Sequence, residues 1–526
     1  MLIMAMKPGH DGSIAVVEDG RLLWCLESEK DTYPRYAQLT PTTLLAVVER
    51  LDRVPDLVAL GGWAKPRTGS PIGAGYLGVD AVQQGHMRFF GKDVAYFSSS
   101  HERSHLMTAL GMAQTEPHDL TTVLVWEGVI GSFDLVDERW QVVRTVPVLA
   151  HPGDRYAFLF SLADPTFPDR GSTPRVDGSG KVMALAAYGD PKDADAEIKA
   201  VVDRILTIDV VNPAPKAEFA DTVLYNAGVD AQATKIAAAL LTQRIFDLFA
   251  EVAVRELPAG NPLRISGGCG LNCDWNSAWR ALGHFSSVFV PPCTNDSGSA
   301  IGTAIDVLAH HGHRQPIEWS VYGGLDFVLD SEPDARRWRC QPRDDPAVAA
   351  AIASGRVVAW VQGRWEIGPR ALGNRSLLAE PYSPATRDRL NAIKQREPYR
   401  PIAQCCREQD LAEAFVEDFP DPFMLYFRKV RSPRLAAVTH VDGSARVQSV
   451  TPASNPRLHG LLDAFAARTG TGVLCNTSLN LRRRGFINRM SDLVGYCEDR
   501  GIDDMVVGDQ WYTADHSTRG DHADAI

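Results

Sequence analysis

Between residues 363 and 376 the chain sets Arg364, Arg370 and Arg375 beside Glu366, among glycines and one proline. A guanidinium is a rigid fork of donors that matches phosphate or carboxylate oxygens, and glycines let backbone N–H groups approach the same anion. The pattern suggests a site for a phosphorylated small molecule. A second basic cluster, Lys394, Arg396 and Arg400, follows within 394–401. One such cluster is equally well read as a solvated, salt-bridged face. Two in one polar region of an acidic chain favour an anion site.

A different chemistry is suggested by His101 and His105. Four residues apart at the start of a predicted helix, their imidazoles share a face and can share a metal. The spacing is also common in helices that bind nothing. Because Glu102 follows His101, the segment reads as HExxH, the zinc-peptidase pattern, although it stands early in its helix. Further carboxylates are offered by Glu127, at the end of the strand 122–126, and by Asp296, which is equally a good helix N-cap. Two histidines with two carboxylates suit Fe, Mn or Zn.

Two turns complete the set. Gly267 and Gly268 follow a short strand and lead into a helix carrying Asn272 and Asn276 on one face. A glycine turn at a helix N-terminus offers free N–H groups to phosphate or ribose oxygens, yet this is neither a dinucleotide fingerprint nor a P-loop. The turn of His10 and Asp11 joins two strands and brings a titratable imidazole next to an acid.

The elements that must position these residues alternate in type. Short strands are predicted at 2–6, 13–17, 21–26, 57–61, 94–98, 121–126 and 132–136, and helices at 104–113, 232–256, 272–282 and 297–310. This is an α/β pattern. A Pro- and Asp-rich stretch at 332–346 separates two domains, 1–335 and 345–515, the second opening with a helix at 347–354 and a strand at 356–361. No sequence repeat is visible, and the tail from Ala514 is polar.

Bulk composition sets limits. The 526 residues, 45% hydrophobic and 23% charged, suit a soluble globular protein. A formal charge of −11 argues against nucleic acid as a partner. The nine cysteines form no CxxC pair, so reduced thiols are expected. The apolar start lacks a basic lead-in, and no run approaches a membrane span, so a cytoplasmic protein without a membrane partner is expected.

Taken together, the segments resemble one family, the O-carbamoyltransferases of antibiotic and nodulation-factor biosynthesis. The resemblance is carried by His10-Asp11-Gly12, the His101…His105 pair, the segment 180–189 with Lys181, Ser266-Gly267-Gly268…Asn272 and Asn295-Asp296-Ser297-Gly298. It continues through 363–376, 394–401, His440-Val441-Asp442-Gly443…Arg446 and Asn476-Thr477-Ser478-Leu479-Asn480. Order and spacing hold over nearly the whole chain. The resemblance implies an actin/Hsp70-like ATPase-type first domain, similar to the threonylcarbamoyl-adenosine enzymes, and a YrdC-like α/β second domain. It implies that carbamoyl phosphate and ATP, with Mg2+, yield carbamoyl-adenylate in the second domain. In the first, the carbamoyl group passes to a substrate hydroxyl and AMP leaves. The implied acceptor is a primary hydroxyl of a 3-hydroxymethylcephem antibiotic intermediate; nucleoside, aminoglycoside or macrolide hydroxyls are the alternatives.

Residue roles follow from the same resemblance. Arg364, Arg370, Arg375, Lys394, Arg396 and Arg400 bind carbamoyl phosphate and the triphosphate, with His440, Arg446, Asn476, Ser478 and Asn480 lining the cleft. Lys181, Gly267, Gly268, Asn272 and Asn276 serve nucleotide binding. His101, His105 and Asp296, with Glu127, hold a transition metal, Fe2+ first among the candidates. His10, beside Asp11, accepts the proton of the attacking hydroxyl. A homodimer is compatible with this reading. Two positions depart from the family: Glu127 stands where Asp is common, and Arg482 to Arg484 replace a Gly-Glu-Pro-like continuation. Outside the family, an HExxH metallohydrolase or a non-catalytic ATP-binding regulator remains, and neither accounts for both phosphate-type regions.

Overall fold

The computed structural model describes residues 1–62, 73–114 and 118–515; the polar tail past Asp515 lies outside the described residues. Strands β1 (Leu2–Lys7), β2 (Ser13–Glu18) and β3 (Arg21–Glu27) form an antiparallel meander. After helix α1 (Pro41–Val48), β4 (Leu57–Gly61) joins β1 in parallel. Strand β5 (Val82–Phe89) lies at the edge, beyond β6 (Lys92–Ser99), giving the order β3-β2-β1-β4-β6-β5. Helix α2 (His101–Gly111) follows.

A second sheet repeats the scheme. Strands β7 (Leu120–Trp126), β8 (Gly131–Asp137) and β9 (Val142–Pro147) are antiparallel. Four helices follow: α3 (Pro152–Ala163), α4 (Val176–Ala186), α5 (Ala196–Thr207) and α6 (Gln232–Glu256). Strand β10 (Leu263–Ser266) then pairs in parallel with β7, helix α7 (Cys273–Leu282) follows, and β11 (Val288–Phe289) extends the sheet. The order is β11-β10-β7-β8-β9. Each sheet opens with three antiparallel strands and adds parallel strands on the side of the first, the first sheet closing with the antiparallel edge strand β5; this is the duplicated architecture of an actin/Hsp70-like ATPase-type domain. The topology is therefore duplicated although no sequence repeat is visible. Strand order depends on buried alternation and turn placement, and many residue choices satisfy both.

Helix α8 (Ser299–His310) packs with α2 between the sheets, against Ile3 and Ala5 of β1 and Val123 and Val125 of β7. A Cβ on Gly302 would sit 1.9 Å from the Ser104 carbonyl oxygen, so glycine is what lets the two helices approach. The opposite face of β7, with Leu124 and Trp126, is covered by the α3–α6 layer.

From β12 (Trp338–Pro342) the chain builds a nine-stranded mixed sheet, beginning inside the stretch read as a boundary. Its further elements are α9 (Asp345–Ala353), β13 (Val358–Val361), β14 (Arg375–Ala379), α10 (Pro384–Ile393), β15 (Ala403–Arg407) and α11 (Leu411–Ala414). Then come β16 (Phe427–Lys429), β17 (Ser444–Val450), α12 (Pro456–Thr469), β18 (Val473–Ser478), α13 (Met490–Arg500), β19 (Asp504–Val507) and β20 (Gln510–Ala514). In β13, Val358 and Trp360 face the core of α9 and α12, while Ala359 and Val361 face that of α10 and α13. Both faces are buried, so the strand reads as a continuous apolar run. Trp365 and Ala371 pack on Leu2, Met4 and Val16 of the first sheet, which seats the arginine-rich segment at the domain junction.

Candidate active site

The first centre forms where β1, α2 and the turn before α8 meet. Asp11 is left-handed (φ 52°), and a Cβ on Gly12 would lie 2.3 Å from the Leu39 backbone nitrogen, so this turn needs its glycine. His10 Nδ1 lies 3.0 Å from Asp11 Oδ2, and His10 Nε2 lies 3.5 Å from Asp296 Oδ2. Asp296 Oδ1 stands 3.4 Å from His105 Nε2 and 3.6 Å from His101 Nε2. Among the described residues, His101, His105 and Asp296 are the group whose donor atoms converge, all within 4.8 Å.

Second contacts orient these donors. Ser266 Oγ lies 3.0 Å from His105 Nδ1, which turns Nε2 toward Asp296. Tyr76 stacks on His101 at 4.5 Å between ring centroids. Burial pulls His101 down to about 3, against the opposing charge of Asp296, so its imidazole is neutral. Burial would raise Asp296, but Lys7, whose ammonium lies 2.9 Å away, and the nearby imidazoles hold its carboxyl well below the usual range. Two imidazole nitrogens, that of His101 neutral, and one ionised carboxylate are a fitting donor set for a transition metal.

Glu127, expected as a fourth ligand, is not brought into the converging set. Its Oε1 accepts from the Tyr76 hydroxyl at 2.8 Å and from the backbone N–H groups of Val129 and Ile130. Glutamate reaches the centre through the ring that stacks on His101. The HExxH reading loses its base, because Glu102 Oε2 accepts the Gly78 N–H at 2.7 Å.

The second centre lies at the junction of the domains. The charges of Arg370, Lys394, Arg396, Arg400 and Arg446 act on one another, with Glu397 the nearby acid among them. Arg370 is held at about 9, by burial first and then by the charges of Arg446 and Arg400. Arg396 is held at about 9 by burial, then by Arg400 and Arg446. The Nε atoms of Arg370 and Arg446 are buried without hydrogen-bond partners. Lys394 Nζ donates to three neutral oxygens: the Ser478 and Asn480 carbonyls and Asn480 Oδ1. In this nest the cations outnumber Glu397, their nearby acid, so an added anion would be favoured there.

Other expected residues are differently engaged. Arg375 is fully buried and donates to the Gln362, Gly363 and Asn374 carbonyls and to Asn488 Oδ1. Arg364 donates to the Leu23, Gly323 and Gly324 carbonyls, tying the segment to the first sheet. These two guanidinia are committed to backbone oxygens and hold the segment that presents Arg370. Glu366 shapes the same turn, its Oε1 accepting from the N–H groups of Leu372, Asn374 and Arg375. Asn476 Nδ2 donates to the Ala371 carbonyl, and His440 Nε2 lies 3.3 Å from the Tyr399 carbonyl oxygen.

The glycine turn faces the same junction. Gly267 (φ 109°) would bring a Cβ within 2.3 Å of the Trp126 carbonyl, whereas Gly268 is open and exposed. Asn272 caps α7 by accepting the Asp274 and Trp275 N–H groups, and Asn276 Nδ2 bridges the Gly270 and Leu425 carbonyls. Lys181 reaches across to Glu397 at 3.2 Å, and Arg370 donates to the Leu271 carbonyl at 2.8 Å.

Sequence reasoning missed three functional neighbours. Lys7 ends β1 as a buried cation beside Asp296; a lysine closing an otherwise apolar strand was the available signal. Arg103 donates to both carboxylate oxygens of Asp306 at 2.7 and 2.8 Å, locking α2 to α8. Arg35, paired with Glu29 at 2.9 Å, adds its charge to the cation nest from the first domain, and no local pattern marks it. Arg482 to Arg484 are partly explained as well, since the Arg483 carbonyl accepts the Arg35 N–H and Arg484 donates to the Thr32 carbonyl.

Comparison with known proteins agrees with this organisation. A family model described as the carbamoyltransferase N-terminus matches residues 87–305, and one described as the carbamoyltransferase C-terminus matches 349–514. The chain is 62% identical to the 3'-hydroxymethylcephem-O-carbamoyltransferases of Amycolatopsis lactamdurans and Streptomyces clavuligerus, over 97% of this chain and 99% of each relative. Nodulation protein U of Sinorhizobium fredii is 33% identical over 92% of this chain and 95% of that protein. Among solved structures, the activator of the 2-hydroxyisocaproyl-CoA dehydratase from Clostridium difficile overlaps 60% of this chain and 97% of its own at TM-score 0.33 and 14% identity, too low to carry weight. Identity of this extent to full-length relatives, with both family halves matched in order, means that the chain belongs to the carbamoyltransferase family and is a carbamoyltransferase.

Proposed function

We propose that the enzyme transfers the carbamoyl group of carbamoyl phosphate, by way of carbamoyl-adenylate, to the primary hydroxyl of a 3-hydroxymethylcephem intermediate. The acceptor follows the named activity of the 62%-identical relatives. The observation that carries the chemistry is the cation nest of Arg370, Lys394, Arg396, Arg400 and Arg446. Burial and mutual repulsion disfavour these charges, and ATP with carbamoyl phosphate and Mg2+ relieves both. Adenylate formation belongs in this reading to the domain 345–515: water splits phosphate from carbamoyl phosphate, and the carbamate oxygen so released attacks the α-phosphate of ATP and expels pyrophosphate; transfer belongs to the domain 1–335. The two reactants are metabolites of the cytoplasm, and the reaction is assigned there.

In the first centre, His10 donates from Nδ1 to Asp11 and so presents Nε2 as the proton acceptor for the attacking hydroxyl. Burial lowers its proton affinity, but the hydrogen bond to Asp11 and the charge of Asp296 more than compensate, making it a stronger base than free imidazole. His101, His105 and Asp296 would hold the metal, which when bound supplies Lewis acidity toward the carbamoyl carbonyl and charge for the adenylate phosphate. Lys7 keeps Asp296 ionised for that task.

The decisive measurement is pyrophosphate release from ATP with and without carbamoyl phosphate, before any acceptor is present. Release that requires carbamoyl phosphate is expected. Release indifferent to it would overturn the adenylate route. Product masses with a hydroxymethylcephem, an aminoglycoside and a nucleoside then identify the acceptor.

A further inference from the structure

Beside the cation nest, and sharing Arg400 with it, lies a cleft of about 590 Å³. Tyr188, just past α4 of the first domain, meets the second domain here. Its ring stands edge-on to Tyr399 and His440 at 6.5 and 5.4 Å, and its hydroxyl donates to the Tyr399 carbonyl at 3.2 Å. Arg400 belongs to both the cleft wall and the nest. Two further guanidinia, Arg387 on α10 and Arg431, line the cleft, and neither has a role in the chemistry described above. Arg387 lies close enough to Tyr188 for its charge to act on the hydroxyl, and its own ion pair is with the neighbouring Asp388, which is not part of the wall. The lining carries three arginines and no carboxylate; Glu397, 4.0 Å from Arg400, and Asp442, 3.7 Å from His440, stand behind it and leave the arginines of the wall in excess. Such a wall holds a positive potential, which draws anions inward and raises their rate of encounter.

We propose that this cleft is the port through which the phosphate-bearing reactants reach the cation nest, with Arg387 and Arg431 drawing them in. Its size suits a nucleotide or anything smaller. Arg400, common to cleft and nest, passes the anion to Arg370, Arg396 and Arg446. The inference rests on the adenylate-forming reading and adds to it the route and the two residues that serve it. Because these guanidinia act before chemistry, they govern capture and not turnover.

The test uses the full-length enzyme and the variants Arg387→Glu, Arg431→Glu and their combination. Pyrophosphate release is measured with carbamoyl phosphate varied at saturating ATP, then with ATP varied at saturating carbamoyl phosphate, at low and high salt. For the double variant, the KM of the reactant that uses the port rises on the order of tenfold at low salt. Its kcat stays within about twofold, and the KM difference shrinks as salt screens the cleft. A rise in the carbamoyl phosphate arm, the ATP arm or both names the traffic. Unchanged KM in both arms, or a loss confined to kcat, overturns the proposal. If the wild-type enzyme releases no pyrophosphate, the adenylate reading has failed instead. Stopped-flow association rates of ATP and of carbamoyl phosphate with wild type and double variant then decide the port by themselves, equal rates counting against it.

Discussion

At the scale of single residues, the two centres separate by the chemistry of their ionisable groups. Arg370 presents a buried Nε with no partner, and its charge is opposed by Arg446 and Arg400. Arg370→Ala is therefore expected to lower carbamoyl-phosphate-dependent pyrophosphate release by roughly a hundredfold or more, the size seen when one donor to a developing charge is lost. A normal rate in that variant would remove Arg370 from the adenylate site. His10 lies among Lys7, Asp11 and Asp296 instead. His10→Ala should keep pyrophosphate release while carbamoylated product falls by about 10²–10⁴-fold, the usual worth of a general base. Equal loss of both steps would argue against a division of labour between the domains.

At the scale of elements, the proposed metal donors depend on how α2 and α8 cross. His101 and His105 ride on α2, and Asp296 precedes α8. Three buried polar links fix the crossing: Arg103 to Asp306, Ser104 to Thr303, and Thr108 to the Gly298 carbonyl. Asp306 is fully buried, and its carboxyl is held below the usual range: burial raises it, and His310 and Arg103 more than offset that. Asp306→Asn breaks the match to a buried guanidinium, which costs about 3–5 kcal/mol when one partner of a buried pair is removed. The melting temperature should drop, and metal affinity, read by equilibrium dialysis, should fall at least about tenfold. Unaltered metal affinity in a destabilised variant would mean that the crossing does not tune the site.

At the scale of the whole molecule, the proposed chemistry makes the junction between the domains the functional unit. Arg364 anchors the arginine segment to the first sheet through the Leu23 carbonyl at 2.7 Å, and Lys30 donates to the Gly368 carbonyl at the same distance. Arg364→Ala removes charge-assisted bonds worth about 1.5–3 kcal/mol each. The expected result is a junction that leaks: less carbamoylated acceptor per pyrophosphate released, with pyrophosphate release itself falling less. A product-to-pyrophosphate ratio equal to wild type would show that the anchor serves stability alone.

What could be read from the sequence was local. The strands flanking the His10 turn, the helix carrying His101 and His105, and the glycine turn into α7 follow from period and punctuation, and the structure has them at or within a few residues of the expected positions. The alternation of types also gave the α/β class. Helices α3, α4 and α5 went unpredicted, although α5 buries Ile198, Val201, Val202 and Ile205 at helical spacing and was legible; α3 is apolar on nearly all sides and α4 holds two glycines, so neither shows a clear period, and the repeated strand order of the two sheets has no local signal. The sequence by itself determined which residue types were available: guanidinia, imidazoles and carboxylates in numbers that pointed to an anion site and a metal. Only the tertiary structure decided their employment. It turned Arg364 and Arg375 onto carbonyl oxygens, kept Glu127 behind Tyr76, and brought Lys7 and Arg35 to the two centres from far along the chain. Periodicity records which face of an element is buried. Which charge a buried group meets there depends on contacts between segments hundreds of residues apart, and no local pattern encodes them.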